Sequence, residues 1–136
     1  MDYDQTIPRG GEAIYLEAEG AAIVVGSLVE VDHLAGSILA PATGGVGSVA
    51  VSLNIVPDES FAWFLITGIA AIKAPNAATP GAAVFSLAAV PGSVDDAAVN
   101  GEQILNAEFN TTTGTPATGL AEVEINRPFH QGRTDV

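Results

Sequence analysis

Reactive side chains are scarce in this sequence. Its 136 residues include no Cys and two His, His33 and His130, so a hydrolytic nucleophile would have to draw its imidazole base from a position expected in a loop or a tail. No Gly-x-Ser-x-Gly elbow presents a serine, and neither Asp-Thr-Gly nor Asp-Ser-Gly marks an aspartic protease. The two His are too far apart for a metal pair, and Asp95-Asp96 lacks the Asp-x-Asp-x-Asp-Gly pattern of a calcium loop. These two acids read as a solvated loop pair. Sixteen acids leave room for a carboxylate pair of the glycosidase kind, yet nothing singles one out. The expectation is no catalytic residue, no metal and no cofactor, hence not an enzyme. Trp63 with Tyr15 and Tyr3 could form a sugar-stacking platform, but Trp63 lies where burial is expected, and the core reading is favoured.

The element that must position these side chains is Phe61 to Ile72, twelve residues without a charge that include the one Trp and two of the five Phe. Trp, Phe and Ile favour a strand over a buried helix, and Pro57-Asp58-Glu59 and Pro75-Asn76 punctuate its ends. Alternation places Phe61, Trp63, Leu65 and Ile69 on one face and Phe64, Ile66 and Ile72 on the other. Both faces are apolar, so a second layer or a neighbouring subunit must cover each. Twelve residues are too few for a membrane span, which needs about 20.

Around this centre the pattern places further strands at Glu12 to Glu19, Ala22 to Val25 with Leu28 to Asp32, Ser48 to Val56, Ala82 to Leu87, Gln103 to Phe109 and Leu120 to Asn126. Ser48 to Val56 alternates most cleanly and reads as half-buried, with Val49, Val51, Leu53 and Ile55 inward. Gly-rich 35 to 47 is a loop without the Gly-Lys-Ser/Thr of a phosphate cradle. Pro91 to Gly101 is a loop or one helical turn capped by Ser93, Thr111 to Gly119 is a turn or exposed loop, and Arg127-Pro128 ends the last strand because Pro cannot donate to a ladder. The fold class is all-β: a small β-sandwich or partly open β-barrel of about seven to eight short antiparallel strands. Residues 1 to 11 form an N-terminal arm, 12 to 126 one β domain and 127 to 136 a C-terminal tail.

Charge narrows the partners. Sixteen acids against four bases give a net charge of −12, and between residues 10 and 126 the single base is Lys73. Nucleic-acid binding needs several Lys or Arg against phosphates, so it is excluded as a working expectation. Arg9, Arg127 and Arg133 sit near the two ends, where they could reach negatively charged surfaces. Asn110-Thr111-Thr112 matches a glycosylation site, but the opening Met-Asp-Tyr-Asp-Gln has neither the basic nor the apolar segment of an export signal. A chain made and used without export is expected.

Three blocks of the C-terminal half, in order, carry a resemblance: Ala62-Trp63-Phe64-Leu65-Ile66-Thr67-Gly68, then Pro91 to Gly101, then Thr118 to Phe129. Together they resemble the small capsid decoration, or cement, proteins of tailed bacteriophages. The resemblance implies a β-rich domain, often trimeric, on the outer surface of the virion, clamping neighbouring subunits of the major capsid protein. It supplies no catalytic residue. In that setting the residues expected to touch capsid or a second copy are Arg9, Trp63, Phe64, Arg127, Phe129 and Arg133, with the two ends extending to adjacent subunits. A carbohydrate-binding or adhesion module is the alternative, and it would require Trp63 or the tyrosines to be exposed on one face.

Overall fold

The computed structural model describes residues 11–18, 22–32, 36–39, 47–87, 90–99 and 102–130. Expectations for Arg9, Arg133, His33, Tyr3, the arm up to residue 10 and the tail beyond residue 130 lie outside them. The described residues form nine strands and no helix: β1 (Glu12–Glu17), β2 (Leu28–Asp32), β3 (Gly36–Leu39), β4 (Gly47–Ser52), β5 (Phe61–Lys73), β6 (Ala83–Ser86), β7 (Val94–Asp95), β8 (Gln103–Phe109) and β9 (Leu120–His130). All pair antiparallel in the order β3-β2-β4-β5-β9-β8-β6-β7, with β1 added to β5. The sheet curls, and the start of β2 returns to the region before β7, where Leu28 N–H donates to the Gly92 carbonyl at 2.9 Å. The expected all-β class is what forms.

β5 is the centre, as its composition requires. Its first half lies along β1 (Tyr15 opposite Trp63) and its second half along β9 (Ala70 opposite Val123). Two apolar clusters grow from it. The larger gathers Leu65, Ala70 and Ile72 with Val51 of β4, Ile104 and Phe109 of β8, and Val123 and Ile125 of β9. The smaller encloses Phe64 with Ala18, Ile23, Val29, Ala50 and Val56. β4 is therefore buried on both faces, Val49 and Val51 toward one cluster and Ala50 toward the other, rather than half-buried as its alternation suggests. Ile55, expected inward, lies beyond β4 and is exposed.

A phase change in β5 was not legible in the alternation. Leu65 and Ile72, read as opposite faces, share the larger cluster, while Ile69 points out. The cause is an irregularity opposite Glu12 and Ala13, which pair with Thr67 and Leu65 and leave Ile66 over. One extra residue reverses the facing of everything beyond it. Gly68 follows at φ +125°, and a Cβ there would come within 3.1 Å of the Gly11 Cα, so this position needs glycine for its backbone and for the close approach of the chain entering β1.

β9 changes phase as well. Ala121, Val123 and Ile125 are buried, then Pro128 and His130. Between its pairings at Ile125 and Phe129, β9 spends three residues against the single Asn106 of β8, with Asn106 and Arg127 at φ 62° and 48°. Pro128 does not end the strand: it sits in this irregular stretch, outside the registers with β5, β8 and β4, where no ladder donor is needed. Residues 127 to 130, expected as the start of a tail, thus belong to the sheet. After Asn126 leaves Thr67 of β5, Phe129 and His130 pair with Ser48 and Gly47 of β4, so β4, β5 and β9 meet in a three-way junction.

Candidate docking surfaces

Phe61 and Trp63 share the face of β5 that carries Leu65, but they lie upstream of the point where the larger cluster begins. Neither apolar cluster includes them. Tyr15 stands directly opposite Trp63, and the three rings pack on one another: Tyr15 on Phe61 at 5.6 Å between centroids and 15° between planes, Tyr15 on Trp63 at 5.1 Å and 57°. The outcome is an aromatic strip, with Tyr15 57%, Phe61 56% and Trp63 40% exposed. The core expectation for Trp63 is corrected here. Its type favoured burial, but burial depends on what lies across the sheet, and neither apolar cluster extends over this half of β5 on that face. Phe64, expected as a contact, is corrected in the opposite sense: at 0% exposure it is enclosed by the smaller cluster and can touch no partner of the folded chain.

The junction builds a second surface on the other face of β1 and β5. Where β9 crosses from β5 to β4, a cleft of about 200 Å³ opens, walled by Ile14, Val31, Val49, Ile66 and Pro128. Ser48 and Arg127 complete its lining, both exposed and therefore at its mouth. The Arg127 guanidinium meets Glu12 at 3.5 Å, an exposed pair that adds little stability. Phe129, cross-strand partner of Ser48, is 41% exposed beside it. Of the predicted contact residues, Arg127 and Phe129 are brought together here, Trp63 stands alone on the opposite face and Phe64 is withdrawn. The walls of the cleft were missed individually. Nothing in a linear pattern shows that β9 will part from β5 beside Ile14.

The buried polar groups do not form a hydrolytic relay. Ser86 Oγ lies 2.6 Å from His130 Nε2, and Glu102 Oε1 lies 3.3 Å from the same nitrogen, while His130 Nδ1 has no hydrogen-bond partner among the described residues. A relay needs serine and carboxylate on opposite ring nitrogens and an opening to substrate. Here all three side chains are buried. Among the described residues no group of three or more His, Asp or Glu side chains could hold a metal ion. Glu108 and Glu124 face each other across β8 and β9, a like-charge pair open to solvent.

No protein-family model matches this sequence, and no curated protein matches it. Solved structures do share its fold. The base of the head fibre gp8.5 of bacteriophage phi29 superposes with a TM-score of 0.59 at 10% identity, covering 86% of this chain and 95% of that one. A chain from the capsid of Myoviridae phage XM1 gives 0.60 at 14% identity, covering 93% of this chain and 88% of that one. At such identities the likeness is one of fold, and it spans nearly the whole of each chain.

Proposed function

We propose that this chain is a structural protein of a tailed-phage head, bound to the outside of the shell, where it holds neighbouring subunits of the major capsid protein together and associates with itself, as a trimer. The observation that carries this reading is the fold, shared along most of its length with a head-fibre base and a capsid chain that are themselves only distantly similar in sequence to it. The aromatic strip agrees with it, since rings left uncovered by their own fold are the usual anchors of a protein interface.

The mechanism is binding linkage. A protein that prefers the assembled shell over its separated subunits stabilises that shell by mass action, without any covalent step. Three rings and a small cleft are less than a stable interface of about 1,200–2,000 Å² requires. A trimer that engages several sites together makes up the difference through effective concentration. The acidic body disfavours non-specific association and leaves contact to the apolar surfaces.

Purified heads lacking the protein provide the test. Added protein should co-sediment with them at a fixed stoichiometry and raise the temperature at which they release DNA. No uptake by heads of the source phage would refute the reading. A monomer by sedimentation velocity, at micromolar concentration and away from heads, would remove the trimer. The exposed strip also meets the condition set for a carbohydrate-binding module, so soluble oligosaccharides titrated against Trp63 fluorescence are the comparison: a saturable change there, with no uptake by heads, would favour that class.

A further inference from the structure

We propose that the junction cleft takes one apolar side chain flanked by a carboxylate, presented by a partner protein. The inference rests on the reading of the chain as a shell-binding protein, and the presenting partner is then a shell subunit. Three observations lead to it. The cleft is apolar along its walls and has the volume for a single Leu- or Phe-sized group, about 200 Å³. Arg127 at its mouth is, with Lys73, one of the two Lys or Arg among the described residues of a chain whose net charge is −12. Among the described residues a carboxylate meets a cation at Lys73 and at this mouth, and only here does the cation stand beside an apolar cleft. The same charge distribution that repels an acidic ligand generally therefore orients it here.

Arg127 also sits at φ 48°, a conformation that Gly or Asn adopts with less strain. The conformation gives no reason for an arginine, so attention falls on what its side chain meets. Its present partner does not block a second. Glu12 is held through one nitrogen at 3.5 Å, and a guanidinium has five N–H donors in a fork, so a second carboxylate is accepted beside the first. Phe129, exposed at the rim through its pairing with Ser48, provides an apolar surface against which the flanking segment can lie.

The probe is 3-phenylpropionate, a ring bearing a carboxylate, titrated into the isotope-labelled full chain and followed by amide chemical shifts. Shifts are expected at Ile14, Val31, Ile66 and Arg127, with none at Tyr15 or Trp63. The neutral 3-phenylpropanamide and the Arg127→Gln chain should each bind about tenfold more weakly, the usual share of a charge-assisted hydrogen bond. Equal binding of the amide overturns the proposal, as do shifts confined to the aromatic strip. Binding seen only after removal of residues 1–10 would mean that the chain's own arm is the occupant, and would overturn it too. Head uptake separates this inference from the function beneath it. Heads that load the unsubstituted and Arg127→Gln chains equally sink the cleft and leave the function standing. Heads that load neither sink the function, while the fragment titration still decides the chemistry of the cleft.

Discussion

The two halves of β5 are built from the same kinds of residue and meet opposite fates. From Ala70 to Ile72 the strand lies against β9, and its inward side chains close the larger cluster with residues from β4, β8 and β9. From Phe61 to Trp63 it lies against β1, and its rings remain open on one face while Phe64 is enclosed on the other. Residue type therefore does not decide burial within one strand. What decides it is whether the curled sheet brings a second layer over that stretch. Apolar area costs free energy wherever it stays wet, and the proposed function puts a partner surface over these rings.

The contrast can be broken most directly at neighbouring positions. Phe64→Ala should lower stability by about 3–5 kcal/mol, read as a fall in denaturation midpoint, because it empties an enclosed site. Trp63→Ala should lower it by about 1 kcal/mol or less and weaken shell uptake instead. If the two substitutions destabilise equally, Trp63 is core after all and the two-halves picture fails. Acrylamide quenching of Trp63 in the free chain gives an independent reading, with efficient quenching expected.

Gly68→Ala probes the hinge between the halves. It should cost about 2 kcal/mol, since φ +125° and the 3.1 Å approach to Gly11 both oppose a Cβ. A smaller loss would show that the strand can shift its irregularity without harm. Ser86→Ala removes a buried partner of His130 and should cost about 1–2 kcal/mol, sharpening the distinction between a structural polar cluster and a reactive one. The smallest effect is expected at the junction. Arg127→Gly loses an exposed ion pair and gains a relaxed backbone, so its midpoint should move by less than about 1 kcal/mol in either direction.

Much of the fold was legible. The strands at Glu12, Leu28, Gln103 and Leu120 begin where alternation or turn residues put them, and β5 was recognised by its lack of charge. The short β3 and β7 were hidden because Gly36–Leu39 and Val94–Asp95 lie in stretches whose Gly, Pro and Asp content reads as loop. Pro128 misled for a related reason: the rule against proline in a ladder holds, but a stretch that pairs with nothing has no ladder to break. Of the expected contact residues among those described, Arg127, Phe129 and Trp63 are exposed, whereas Phe64 is enclosed. Alternation says that two neighbours face apart; it does not say which face will be covered.

The sequence by itself determined an all-β chain centred on a doubly apolar strand, acidic in its body and poor in the residues that do chemistry. Those properties follow from side-chain type and period, which are local. Tertiary structure alone decided where the phase reverses at Ile66 and Gly68, that β9 parts from β5 to reach β4, and that the first half of the central strand has rings open on one face and a cleft on the other. Each depends on contacts between residues far apart in the chain, and a single extra residue in one strand is enough to change which side chains meet.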